Sequence, residues 1–358
     1  MPSSEANREV WLDVIRGVTI TLVVLHHSMI ATKYWSQSHD IELHRFLGEF
    51  GAAMGMARMP AFFLCSGILF AEPARRGIKW FLKNRFLWAF WVVLLWTTIT
   101  YLASQIGIHH YPWISNESAS YQILFLINPY GNFWFIYAIA ILGAMTVIFR
   151  RLPIGIKSIL VLVSSALMLA SLDVFNYSSG MKTLIWNLGA RGILFFSMGV
   201  FLASHLRKPF KTKYTVAALM LSIWFVAYVI KRQGIFSYDL ATFLLQLPAT
   251  IAFVYLVQFV AQRAEWFSQC FSRLGKYSLD IFLLHQFFIG LIYATLVTVG
   301  FTISSTVTLA IIFSGSVIFA LISGIILRQS PKNFFFKTPP LPKRIVSLIC
   351  PDLKGIRK

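Results

Sequence analysis

A run of roughly 20 apolar residues is long enough to cross the hydrocarbon core of a bilayer as a helix, and this chain contains ten such runs. They lie near 12–31, 49–71, 86–104, 131–149, 154–172, 187–205, 213–231, 239–260, 276–297 and 302–327. Lipid offers no partner to an unpaired N–H or C=O, so each run must be helical. The expected fold class is all-α: a polytopic membrane helix bundle of about ten transmembrane helices. The balance of side chains agrees, because only 13% are charged where a soluble domain carries about 25%.

The segments between the runs predict direction. Lys and Arg accumulate on the cytoplasmic side of a membrane protein. With the N-terminus inside, the cytoplasmic segments hold 24 Lys and Arg and the opposite segments 5. Both termini are therefore expected in the cytoplasm. The net charge of +19 does not point to nucleic acid, since the basic residues alternate with apolar runs and form no soluble basic domain. The first run has no small-residue cleavage site and reads as a retained helix. One integral domain is expected over 1–328, followed by a basic, Pro-containing cytoplasmic tail over 329–358. In that tail Phe334, Phe335 and Phe336 are candidates to touch the inner membrane surface. The longest outer loop, about 105–130, holds His109, His110 and Trp113 and reads as a connection in preference to a binding loop. Cys65, Cys270 and Cys350 fit no disulfide framework, and no His, Cys, Asp or Glu cluster has the spacing of a metal site. No internal repeat is visible, which disfavours a transporter built from two related halves.

Polar residues inside spans are costly and therefore informative. The first run carries Asp13, Arg16, His26 and His27. Asp13 and Arg16 are three apart and can meet on one helix face. Arg16 and His27, eleven residues apart, share a face about 16 Å apart along the axis. A cation suited to phosphate near one membrane surface, with a titratable imidazole deeper in, suits group transfer across a membrane. The plain alternative stays open: Arg16 snorkels to headgroups and His27 bonds a neighbouring helix. The ninth run repeats the theme with Ser278 and His285 on one face and Asp280 as a further carboxylate. Arg58 precedes Pro60, which predicts a kinked helix with the arginine in a polar cavity. Gly48, Gly51 and Gly55 form a small face expected to pack closely on another helix. Arg191, near the outer end of the sixth run, either snorkels outward or enters the bundle.

Several of these stretches resemble, in order, the acyltransferase-3 family of integral membrane O-acyltransferases. "LDVIRGVTITLVVLHHS" is similar to the family's first helix, an Arg or Lys followed after ten residues by a His, here Arg16 and His27. "RMPAFFLCSGILF", "FLKNRFLWAF", "FWFIYAIAI" and "LGKYSLDIFLLHQ" resemble its later motifs. The chain departs where many members have a second Arg after the one matching Arg85, with Trp88 there, and where a Tyr often precedes the late His, with Phe282 there. A stand-alone membrane module, without a fused esterase-like domain, is expected.

The resemblance implies an enzyme that moves an acyl group, usually acetyl, from cytoplasmic acetyl-CoA or another acyl-CoA to a hydroxyl of a cell-envelope glycan or glycolipid. His27 would be general base or acyl relay, Asp13 would orient Arg16, and His285 with Ser278 would polarise the thioester or position the acceptor. Arg16, Lys79, Lys83, Arg85 and Ser278 are the expected acyl-CoA contacts. Arg58, Trp134, Tyr137 and Arg191 are the expected substrate contacts. No metal is expected. The implied partners are the lipid bilayer, the acyl-CoA and the acceptor, without nucleic acid; a homo-oligomer is left open. The location implied is a bacterial inner membrane. A different class is also open: an exporter or flippase of a polysaccharide or anionic solute, which Arg58 and Arg191 would serve equally well.

Overall fold

The computed structural model describes residues 10–35, 41–105, 133–175, 179–206, 211–233, 238–300, 303–330 and 333–337. The expected connection over 106–130 and the tail beyond 337 lie outside them. Among the described residues there is no strand, and ten helical segments are long and apolar enough to cross a membrane. The bundle therefore has the predicted class and span number.

The helices are α1 (Val10–Trp35), α2 (Ile41–Gly55), α3 (Arg58–Ala74), α4 (Ile78–Phe81), α5 (Leu87–Gln105), α6 (Trp134–Ile148), α7 (Ile154–Val174), α8 (Ser179–Asn187), α9 (Ile193–Phe201), α10 (Tyr214–Arg232), α11 (Tyr238–Ala261), α12 (Glu265–Lys276), α13 (Ser278–Val299) and α14 (Ser305–Arg328). Three spans are broken within the bundle. α2 and α3 are parted by a turn at Met56 and Ala57, the interruption expected beside Arg58 and Pro60. π-helical turns join α4 to α5 (Leu82–Phe86) and α8 to α9 (Leu188–Gly192). Such turns are rare and concentrate at functional sites. One of these two carries Arg85 and the other Arg191.

α1, α3, α9 and α13 form the interior, while α7, α10 and α14 turn large apolar side chains such as Ile159, Phe225 and Ile322 outward. Two close crossings hold the interior together. α3 and α9 touch backbone to backbone: a Cβ at Gly67 would run into Phe196 O, and one at Gly199 into Leu64 O. α1 and α12 do the same, with Gly275 against Asp13 O and Gly17 against Phe271 O. α12 is a correction to the sequence reading, which treated this segment as a basic loop. Phe267, Phe271 and Leu274 recur at helical spacing and pack against the core, while Glu265, Gln269 and Arg273 are exposed.

The start of α1 and the end of α14 meet at one end of the bundle. Arg16 donates to Ser278, the first residue of α13, at 2.7 Å. Two residues on, the buried Asp280 accepts from Arg328, the last residue of α14, at 2.6 and 3.0 Å. The chain then returns along α5. The indole N–H groups of Trp91, Trp96 and Trp88 donate to the carbonyls of Phe334, Phe335 and Phe336 at 3.0, 3.1 and 2.8 Å. Phe336 is buried and Phe334 exposed, so this tripeptide is strapped to a helix with one ring left facing outward.

Candidate active site

Two helices carry the chemistry. Along α1, Asp13 is buried and accepts from Arg16 at 3.2 Å. The same guanidinium reaches Ser278 on α13, so a carboxylate and a hydroxyl from two helices aim one cation. The sequence periodicity predicted the first contact, and only the fold supplies the second. Arg16 and Ser278 line a cavity of about 230 Å³ between α1, α3, α5, α6 and α13. Arg85, Trp88, Ser66 and Phe282 also line it. Trp88 closes the wall, its ring held by the bond to Phe336. Arg85 sits over the ring of Trp80, whose other neighbouring cation is Arg76. Lys79 and Lys83 are exposed at the same end.

Further along both helices lie the imidazoles. Arg16 and His26 are separated by about 15 Å of helix, and Ser278 and His285 by about 10 Å. His27 on α1 and His285 on α13 face each other with ring centroids 5.4 Å apart. His285 is fully buried, whereas His27 is partly exposed, though it lines neither this cavity nor the one described next. Nδ1 of His285 lies 3.0 Å from Ile281 O and 2.8 Å from Phe282 O. Carbonyl oxygens only accept, so the hydrogen-bond pattern assigns the proton to Nδ1 and leaves Nε2 as an acceptor. The Gln286 amide nitrogen stands 3.4 Å from His27 Nδ1.

A second cavity, of about 440 Å³, opens at the far end of α1. His26, Lys33, Arg58, Arg191 and Lys231 line it. Arg58 and Arg191, 133 positions apart in the sequence, thus enter one space. Asn187 accepts from Arg191 at 2.8 Å and the guanidinium lies 4.3 Å from the Trp186 ring centroid. The glycine face of α2 is also here, and it divides: a Cβ at Gly51 would press on Met29 of α1 at 3.2 Å, the close packing expected, whereas one at Gly48 or Gly55 would meet nothing within 4 Å. Gly48 and Gly55 leave the cavity open instead of seating another helix.

Phenyl rings line the first cavity and reach the imidazoles. Phe135 packs on Phe62, Phe63 and Phe282 at 4.9, 5.1 and 5.4 Å, and Phe282 packs on His285 at 6.1 Å. Trp134 and Tyr137 line neither cavity; Trp134 stacks against Phe63 and Phe135. The sequence reading missed two features. Lys33 and Lys231 counted only as loop charges. A wider opening of about 580 Å³ between α3, α6, α7 and α9, rimmed by Arg75, Arg150, Arg151 and Lys157, carried no motif at all.

No curated protein and no solved structure matches the chain. The profile of one family, described as an acyltransferase domain, matches residues 9–327. That span takes in Arg16, both facing imidazoles and the linings of both cavities. Arg16, the facing histidines and the distal cavity thus all lie inside the matched region, and the chain belongs to the acyltransferase-3 family of membrane acyltransferases.

Proposed function

We propose that this protein transfers an acyl group, acetyl in the simplest case, from cytoplasmic acyl-CoA to a hydroxyl of a cell-envelope glycan or glycolipid. The observation that carries the reading is the order along α1 and α13: a cavity holding Arg16 and Ser278, then the His27–His285 pair, then a second cavity reached by His26. The excess of Lys and Arg at the Arg16 end supports assigning that end to the cytoplasm. We read both termini as cytoplasmic and the membrane as a bacterial inner membrane.

The first cavity is smaller than the 300–1,000 Å³ or so typical of small-molecule sites. It takes the thioester arm, with a phosphate on Arg16 or Arg85, while the nucleotide stays outside near Lys79 and Lys83. The acceptor enters the second cavity. His27 takes the hydroxyl proton as the oxygen attacks the thioester carbonyl. The new C–O bond forms, the C–S bond breaks, and the proton passes to the departing CoA thiolate. His285, with its proton fixed on Nδ1, packs its ring against His27. The phenyl wall favours transfer over export, since a polysaccharide pathway needs a continuous polar route.

The test is acetyl-CoA consumption by purified protein in nanodiscs, with wild type beside His27→Ala and Arg16→Ala. Slow thioester hydrolysis needs no acceptor. Loss of a general base lowers turnover by about 10²–10⁴-fold, and Arg16→Ala raises the acetyl-CoA concentration required. A folded wild type that neither binds nor hydrolyses acetyl-CoA refutes the proposal and returns the export reading.

A further inference from the structure

The opening of about 580 Å³ between α3, α6, α7 and α9 belongs to neither end of the reaction path. Three helices turn one face each onto it and do not fill it. Leu142 and Met145 on α6, Leu160 and Val161 on α7, and Ile193 and Val200 on α9 make its apolar depth. Thr146 also lines it, but its hydroxyl donates to Leu142 O at 2.8 Å and is satisfied within its own helix. Protein interiors pack as closely as organic crystals. A space of this size falls in the range of a ligand site instead. Its outer wall, α7, is a lipid-facing helix, with Ile159, Leu162 and Leu167 turned outward. Its inner wall is the α3–α9 pair, whose backbones touch at Gly67 and Gly199.

One lip of this space is basic. Arg75 follows α3, Arg150 and Arg151 follow α6, and Lys157 stands in the first turn of α7. These side chains are tied to backbone more than to charge. Arg150 donates to Arg75 O at 3.4 Å, and Lys157 donates to Arg150 O at 2.8 Å. Glu72 lies 3.6 Å from Arg75, but both side chains are more than half exposed, and such a surface pair contributes little. No carboxylate lines the space among the described residues. Guanidinium groups are well shaped for phosphate oxygens. A soluble anion would use the lip and leave the apolar depth empty. A neutral chain would fill the depth and leave the lip unused. One amphiphile with an anionic head uses both.

We propose that this opening binds an anionic phospholipid, its phosphate on Arg150, Arg151 and Lys157 and the start of one acyl chain among Leu142, Leu160 and Val200. Basic pockets between membrane helices on the cytoplasmic side suit such headgroups. The lip shares its end of the bundle with Arg85, ten residues after Arg75, so the Lys and Arg bias assigns the lipid to the cytoplasmic leaflet. The site goes beyond the acyltransferase reading and does not rest on it. The lipid fills the wedge between α7 and the interior and braces that outer helix.

The experiment is native mass spectrometry of the full chain, delipidated in a neutral detergent and titrated with phosphatidylglycerol and phosphatidylcholine of identical chains. The first lipid bound should be phosphatidylglycerol, by about tenfold or more, since each basic residue near a lipid surface contributes about fivefold. Arg150→Gln combined with Arg151→Gln should bring the two lipids close to parity. Lys213→Gln combined with Arg273→Gln removes the same charge from exposed positions elsewhere and should leave the preference intact. Ser197→Phe fills the space from α9 and should weaken phosphatidylglycerol binding although the lip is untouched. Val161→Trp fills it from α7 and serves if the first variant does not fold. A wild type without preference overturns the proposal. So does equal loss in both charge-neutralised pairs, which marks a diffuse field, or unchanged binding in the filled variant that folds. Excess inorganic phosphate or acetyl-CoA separates the sources of the anion. Displacement of phosphatidylglycerol by either assigns the lip to soluble phosphates and overturns the lipid claim, and retention supports it. The assay reads no turnover, so its failure leaves the acyltransferase proposal standing.

Discussion

Ser278→Ala separates positioning from chemistry. The hydroxyl accepts from Arg16 at 2.7 Å, a charge-assisted bond. Removing one such partner costs about 1.5–3 kcal/mol when nothing replaces it. Arg16 keeps its contact with Asp13 and its side chain is 21% exposed, so water can take over part of the role. The lower end, about 1.5 kcal/mol, is the appropriate figure, and each 1.4 kcal/mol or so is tenfold in an equilibrium constant. If Arg16 binds a phosphate of the donor, loosening its aim raises KM for acetyl-CoA about tenfold and leaves kcat within about twofold, the signature of lost uniform binding. The assay is thioester hydrolysis across a range of acetyl-CoA concentrations, in nanodiscs, with Ser278→Thr as the conservative control. An unchanged KM with kcat lowered a hundredfold would refute the reasoning. Ser278 would then act on the reacting carbonyl rather than through Arg16.

Other predictions concern the frame around the site. Asp280 is fully buried while its partner Arg328 is 41% exposed, so the pair should be asymmetric. Arg328→Ala strands a buried carboxylate and costs about 3 kcal/mol, whereas Asp280→Asn leaves an arginine free to turn to water and costs about 1 kcal/mol; denaturing-detergent titration of both variants checks the order. Gly275→Ala drives a methyl into Asp13 O and should separate α12 from α1, seen as loss of folded protein on size-exclusion chromatography. Gly48→Leu enters open space and replaces a residue that disfavours helix by about 1 kcal/mol; its melting temperature should hold or rise while transfer to an acceptor falls.

Much of this arrangement is local and could be read before folding. Hydropathy reveals spans because lipid imposes one requirement on every one of them. Arg16 and Asp13, three residues apart, are neighbours on any helix, and the pairing of Arg58 with Pro60 announces a break. What escaped is long-range. Asp280 and Arg328 are 48 positions apart, and nothing in either segment names the other; Arg328 read as a tail charge. Lys33 and Lys231 read as loop charges because hydropathy measures distance from lipid, not which cavity a helix end faces. Gly48 and Gly55 fit a packing face as well as a cavity wall, since a missing side chain permits both. α12 had a helical period in Phe267, Phe271 and Leu274, but its charge made it look like a connection.

The phenyl cluster of Phe62, Phe63, Phe135 and Phe282 has a consequence for the membrane itself. An enzyme with its donor on one side and its acceptor on the other must pierce the insulator on which the cell stores its ion gradients. A file of water from Arg16 to Lys33 would conduct protons and dissipate that voltage with every turnover and between turnovers. Aromatic rings packed across the gap carry no such file. They can shift aside for a neutral acyl group of a few atoms, yet they present no dipole to a hydrated ion. Replacing them with small polar residues would turn a catalyst into a leak.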